Sequence, residues 1–179
     1  MRSLILDTET TGLLENSLRA EKHQPRVIEF YGNVVEDDGE VVSELELLFD
    51  PGTSLTEEIT NITGIKDDDL KGKLPFNAHE SQIRAFVGSA EAMVAHNLSF
   101  DQAIISREFM RCGTLDRVQW PRKRICTVEA TEWLKGYRLS LGALYEHLFA
   151  EPFPGAHRAK ADVKALIRCW VELRKRGEV

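Results

Sequence analysis

The run Leu4-Ile5-Leu6 is apolar at three consecutive positions and stops at Asp7. Such a run is too short for an amphipathic helix and lacks the alternation of a half-exposed strand, so it suits a strand covered on both faces of a sheet. Residues 27–35 and 41–49 are two further β-rich runs, separated by Glu36-Asp37-Asp38-Gly39-Glu40. That separator is a hairpin signal, and the first three strands are expected to form an antiparallel meander.

Beyond Asp50-Pro51-Gly52 the pattern changes. Thr56 before Glu57-Glu58 reads as a helix N-cap, and Asn77 with Glu80 reads as a capping-box start for a helix through Val87. Ala92-Met93-Val94-Ala95 is a second short buried run, residues 99–111 have helical spacing, and Arg124-Ile125-Cys126-Thr127 supplies a last strand. Helical stretches follow at 128–135, 139–149 and 158–175. A meander followed by β/α alternation predicts an α/β chain with a mixed sheet and helices packed on its faces. Without a repeat, a linker or a low-complexity stretch, residues 1–179 are expected to form one domain.

Composition removes several function classes. The chain is 42% hydrophobic and has no apolar run near the ~20 residues that span a bilayer, which excludes membrane-spanning, collagen-like and disordered readings. Lys and Arg total 23 against 29 Asp and Glu, a formal charge of −6, so a uniformly basic surface for nucleic acid is ruled out. Any polyanionic ligand therefore needs a local inversion of sign. Cys112, Cys126 and Cys169 are odd in number and widely separated, which argues against a disulfide framework or a zinc finger. Met1-Arg2-Ser3 lacks the long apolar region of a signal peptide, and a cytoplasmic, reducing location is expected.

Three clusters follow the assigned elements, where ligands of α/β sheets gather. In Asp7-Thr8-Glu9-Thr10-Thr11-Gly12, extended geometry sends Asp7 and Glu9 to the same side. The pair is either a cation site or a turn-forming segment. His96-Asn97-Leu98-Ser99-Phe100-Asp101 puts another carboxylate at a strand-to-helix junction, where Asp101 is either a ligand or an ordinary first-turn acid. His157-Arg158-Ala159-Lys160-Ala161-Asp162 places a histidine before a helix and an acid inside it. Hard oxygen donors without a Cys or His cage point to Mg²⁺ or Mn²⁺ rather than zinc. Two such ions ~3.5–4 Å apart clamp the attacking and leaving oxygens of a phosphodiester, and a histidine can take a proton from water near neutral pH.

Together the clusters resemble the DEDD superfamily of 3′-to-5′ exonucleases. Asp-Thr-Glu-Thr-Thr-Gly, His-Asn-x-x-Phe-Asp and His-Arg-Ala-x-x-Asp occur in the family's order across residues 7–162. His157, five residues before Asp162, makes the resemblance one to the DEDDh branch, with the proofreading epsilon subunit, exonuclease X, ribonuclease T and the TREX nucleases. The resemblance implies a ribonuclease H-like fold with a five-stranded mixed sheet and two Mg²⁺ or Mn²⁺ ions. It assigns Asp7, Glu9, Asp101 and Asp162 to the metals and His157 to general base catalysis. It also implies that the Thr10 backbone holds the terminal 3′ hydroxyl, that Leu13 wedges against the terminal bases and that Asn97 lies near the scissile phosphate. Val27-Ile28-Glu29 and Ile62-Thr63-Gly64-Ile65 resemble weaker family segments, whereas residues 15–24 are longer and more charged than the link in many relatives.

The implied activity is release of nucleoside monophosphates from single-stranded or frayed DNA 3′ ends. An RNA exonuclease is the alternative within the same chemistry, since discrimination depends on what meets the 2′ position. Asp-Thr-Glu-Thr-Thr-Gly favours DNA, because it resembles the proofreading and DNA-directed members. A binding module that kept only the fold is the alternative from another class, and such modules usually lack a ligand that this chain retains. Trp120, Trp133 and Trp170 are expected to pack rather than stack on bases, while Arg158, Lys160 and Lys164 are expected to steer a backbone toward the third cluster. The chain ends about one helix after that cluster, which predicts a free-standing enzyme or one docked through its surface. Two divalent ions would take the formal charge from −6 to −2, so a distributive enzyme that grips ends through metals is expected.

Overall fold

A computed structural model of the protein describes residues 1–15, 21–153 and 158–179. Five strands, β1 (Ser3–Thr10), β2 (Val27–Val35), β3 (Val41–Leu48), β4 (Ala92–Ala95) and β5 (Lys123–Cys126), form a single mixed sheet in the order β3-β2-β1-β4-β5. The meander is as expected, with β1 to β2 and β2 to β3 antiparallel, whereas β1 to β4 and β4 to β5 run parallel. Parallel neighbours require crossover connections, and helices supply them.

Seven α-helices are described: α1 (Glu57–Thr63), α2 (Asp67–Leu70), α3 (Phe76–Val87), α4 (Leu98–Arg111), α5 (Thr127–Ala130), α6 (Leu141–Phe149) and α7 (Ala159–Lys175). Strand parity sorts the core into two layers. Leu4, Leu6, Phe30, Val34, Met93 and Ala95 pack with Ile83, Val87, Ile104, Ile105 and Phe109 of α3 and α4. Ile5, Tyr31, Val35 and Val94 pack on the other face with Val163, Leu166 and Trp170 of α7. The double covering explains why Leu4-Ile5-Leu6 needs no polar position and why all nine residues of β2 are buried. Each fully buried aliphatic or aromatic side chain contributes about 1.5–3 kcal/mol relative to an exposed one. On the far side of α7, α6 adds Leu144, Tyr145 and Leu148 against Ala165, Cys169 and Leu173.

Local signals are met unevenly. Thr56 does cap α1, its hydroxyl accepting from the Ile59 amide at 3.2 Å, and Gly64 ends that helix in the left-handed region at φ 70°. Asn77 does not cap α3: the N-cap is Pro75, two residues earlier, and Glu80 is taken by Arg84 across one turn at 2.8 Å. The stretch expected as one helix at 128–135 is the short α5 followed by a 3-10 turn, Glu132–Leu134. Trp170 is fully buried, Trp120 packs edge-on against Phe109, and Trp133 is 64% exposed.

Part of the charged segment expected at 15–24 lies outside the described residues. Its far end, a 3-10 turn at Glu21–His23, is tied to α4: Glu21 pairs with Arg107 at 2.6 Å and Arg111 at 2.8 Å. Buried Glu108 accepts from Arg26 Nε at 2.9 Å, Arg111 at 2.8 Å and the Val27 amide at 3.2 Å. These bonds fix the entry to β2. Among the described residues no helix is long and apolar enough to cross a membrane.

Candidate active site

β1 continues four residues past its apolar run, so Asp7-Thr8-Glu9-Thr10 of the first cluster lies within the strand itself. Parity therefore decides where each side chain goes. Asp7 and Glu9 follow Ile5 onto the α7 face, where they meet Asp162 in the first turn of that helix. Carboxyl oxygens of Asp7, Glu9 and Asp162 all lie within 4.8 Å of one another. Thr8 follows Leu4 and Leu6 onto the opposite face, toward α4.

The strand register leaves room there. β4 pairs with β1 only along Ser3–Ile5, so the edge of β1 is open at Thr8. Asp101, in the first turn of α4, fills that opening: its Oδ1 accepts the Thr8 amide at 3.0 Å and the Thr8 hydroxyl at 2.8 Å. Asp101 thus lies outside the trio, on the other layer, yet close enough for its charge to act on Asp7 and Glu9. It is no ordinary first-turn acid, since it is only 2% exposed.

The electrostatics follow from this crowding. Burial, then the negative charges of Asp101, Glu9, Asp162 and Glu29, hold the Asp7 carboxyl well above the usual carboxylate range. Burial, then Asp162, Glu29 and Asp101, push Glu9 up to about 7, with Arg158 opposing. Burial also raises Asp101 to about 7 despite the hydrogen bonds from Thr8. Like charges this close must either take up protons or share a cation. The trio is an all-oxygen donor set, which fits a hard divalent ion.

The remaining expected residues are placed as follows. Asn97 is exposed and stands at the N-cap position of α4 in the left-handed region at φ 79°, without a side-chain capping bond, a conformation that asparagine tolerates better than most residues. Its neighbour His96 is held between Thr127 Oγ1 at 2.9 Å and the Leu139 carbonyl at 3.0 Å. A carbonyl only accepts, so Nε2 carries the proton, and burial pushes this imidazole down to about 4. Thr10 is buried, its hydroxyl donating to the Gly12 carbonyl at 2.7 Å. Leu13 is 80% exposed and lines, with Ile59, Ile62 and Phe100, a depression of about 610 Å³ that reaches Glu9. His157 lies outside the described residues.

Of the cations expected to steer substrate, Lys160 is held by Glu46 at 2.5 Å and Glu44 at 3.4 Å, and Arg158 is held by Glu29. Two further residues, Thr8 and Glu29, hold the site together although no motif gives them a role. Thr8 sits inside the first cluster with no role assigned, and Glu29 was only part of a weaker segment. The signal for Glu29 was present, because it is the one charged residue in an otherwise uncharged strand.

An acid cluster thus stands at the end of the central strand of this sheet, with a further acid on the neighbouring helix. The chain belongs to the exonuclease family of the RNase T group, which matches residues 4–169. It is 35% identical over 165 residues to a PolC-type DNA polymerase III of Listeria innocua, covering 90% of this chain and 10% of that protein. The corresponding protein of Thermotoga petrophila is 31% identical over 171 residues, covering 94% of this chain and 11% of its own length. The chain thus spans about a tenth of these relatives. Among solved structures, exonuclease X in complex with 5′ overhanging duplex DNA superposes with a TM-score of 0.69 at 26% identity, over 98% of this chain and 93% of that one. E. coli ExoI, bound to single-stranded DNA and zinc, shares the fold with a TM-score of 0.80 at 18% identity, over 98% and 41%.

Proposed function

We propose that the protein is a 3′-to-5′ exodeoxyribonuclease that releases nucleoside 5′-monophosphates from single-stranded or frayed DNA ends, with two Mg²⁺ or Mn²⁺ ions at Asp7, Glu9, Asp101 and Asp162. The observation that carries it is the meeting of Asp7, Glu9 and Asp162 within 4.8 Å, with Asp101 bonded to the residue between the first two. The names of the relatives favour DNA: polymerases among the curated proteins, and exonuclease X on a DNA duplex among the structures.

Bound there, the ions supply Lewis-acid activation of water and stabilise charge on the phosphate. The chain's own residues do the rest. Asp7 and Glu9, fixed by one strand, and Asp162, fixed by α7, present their oxygens to a common point. Asp101 keeps one oxygen on Thr8, which orients the other. His157 is assigned as the base that takes the proton of the attacking water. Attack at phosphorus breaks the bond to the 3′ oxygen of the preceding nucleotide, freeing a nucleoside 5′-monophosphate and a 3′ oxyanion that takes a proton from solvent, while His157 returns its proton to solvent. The Thr10 backbone holds the terminal 3′ hydroxyl, Leu13 wedges beside the terminal base above the apolar depression, and Asn97 lies near the phosphate.

The test is a panel of single-stranded DNA, mismatched duplex and matched RNA, with Mg²⁺, Mn²⁺ or EDTA. Mononucleotide release from DNA that EDTA stops, and that His157→Ala or Asp7→Ala nearly abolishes, is expected. Faster hydrolysis of RNA would replace the DNA assignment, and full activity in either variant would overturn the mechanism.

A further inference from the structure

Glu29 is fully buried, and the register of β2 sets it directly opposite Glu9. Like charges facing one another across strands are destabilising, and the four acids assigned to the metals leave no chemical task for a fifth. What occupies Glu29 is the start of the third cluster. Its Oε1 accepts from Arg158 Nη2 at 2.9 Å, and its Oε2 accepts from the Ala159 amide at 3.2 Å and from Arg158 Nε at 3.3 Å.

The helix needs this partner. Ala159 opens α7, and the first amides of a helix have no acceptor within it. Arg158 occupies the N-cap and offers no side-chain acceptor. A carboxylate on the sheet therefore performs the capping that the helix's own sequence omits. The Arg158 carbonyl in turn accepts the amides of Ala161 at 2.8 Å and Asp162 at 3.0 Å. One continuous set of bonds thus runs from the strand beside Glu9, through Arg158, to the backbone of Asp162.

We propose that Glu29 is a positioning residue for the acidic centre: it registers the first turn of α7 against the sheet so that Asp162 falls beside Asp7 and Glu9. This rests on the exonuclease reading for its consequence in catalysis, and on the bonds alone for its consequence in structure. Glu29→Gln is the informative change. A carboxamide keeps the size but offers one acceptor oxygen where donors stand against both, so either Ala159 or Arg158 meets an NH₂ group.

The experiment compares wild type, Glu29→Gln and Glu29→Gln/Arg158→Gln. It measures Mn²⁺ binding to the metal-free protein by calorimetry, amide exchange of the peptide covering the start of α7, and kcat and KM on an oligonucleotide. In folded Glu29→Gln, Mn²⁺ binding weakens and kcat falls by about tenfold or more while KM barely moves, as for other residues that orient metal ligands. Exchange quickens at the start of α7 and not in α4. Exchange at the start of α7 is no faster in the double variant than in Glu29→Gln, because Arg158 holds that turn through Glu29. Mn²⁺ affinity within about threefold of wild type, unchanged exchange at α7, or still faster exchange there in the double variant would each overturn the proposal. Wild-type protein that releases no mononucleotide would count against the exonuclease reading, and calorimetry and exchange would still decide the role of Glu29.

Discussion

Thr8 holds Asp101 twice, through its amide at 3.0 Å and its hydroxyl at 2.8 Å, both on the same carboxylate oxygen. The bond joins the two layers of the molecule at the point where β4 has stopped pairing with β1. It also sits between Asp7 and Glu9 in sequence but on the opposite face of the strand. One strand therefore supplies two carboxylates to one layer and a clamp for a further acid to the other.

Thr8→Val keeps the shape and the amide bond but removes the hydroxyl. Loss of one hydrogen bond to a buried ionisable group costs about 1–3 kcal/mol, so the thermal midpoint falls. Loosening of Asp101 lowers kcat by about tenfold. Thermal unfolding in EDTA and single-turnover rates check both, and a variant with wild-type kcat would show that Asp101 needs no such orientation.

Asp7→Asn and Asp162→Asn are expected to act oppositely on activity and on metal-free stability. Each removes a negative charge from a crowded site, so the midpoint in EDTA stays level or rises. Activity falls by about 10³-fold, on the scale of losing a group that stabilises charge in the transition state. Stabilisation by Mn²⁺ disappears as well. Unfolding with and without Mn²⁺ reads this directly.

The pH dependence without metal has two opposing parts. Glu9 and Asp101 have folded values near 7, above their unfolded 4.5 and 3.8, so the folded state retains protons that the unfolded chain has released. Their stabilisation is complete below the unfolded values and is lost as pH rises through about 7. His96 acts in the other sense: it stays neutral in the fold down to about 4 against an unfolded 6.5, so its contribution fades as pH falls through that window. Between pH 6.5 and 8 the two carboxylates outweigh the fading His96 contribution, and the midpoint in EDTA falls with rising pH. Mn²⁺ should reverse that fall at pH 8, because a cation replaces the protons. A midpoint that rises over this interval in EDTA would contradict the crowding of the site.

Leu13 is 80% exposed, so Leu13→Ala leaves stability within about 0.5 kcal/mol. If it wedges beside the terminal base, KM for a DNA end rises by about tenfold, the value of one truncated apolar contact. Steady-state kinetics on a short single strand measure it, and an unchanged KM would move the wedge elsewhere on the rim.

Much was legible because it is local. Leu4-Ile5-Leu6 requires cover on both faces wherever it lies, Thr56 caps a helix through its own hydroxyl, and the period of a strand puts Asp7 and Glu9 on one side. The misses were also local in kind. Asn77 had the right spacing for a cap, but the apolar face of α3 buries Phe76 against Phe49 and Phe109, and that packing starts the helix two residues earlier.

What the sequence determined by itself was the set of parts: the acid types, their order, and the side of the strand each first-cluster residue takes, all set by covalent geometry. The tertiary structure alone decided which parts meet. Asp162 reaches Asp7 and Glu9 because α7 covers their face, Asp101 reaches Thr8 because β4 stops short, and Glu29 is bound to a helix 129 residues away along the chain. Contacts at that separation depend on how layers pack and where strands end, and no local propensity encodes either.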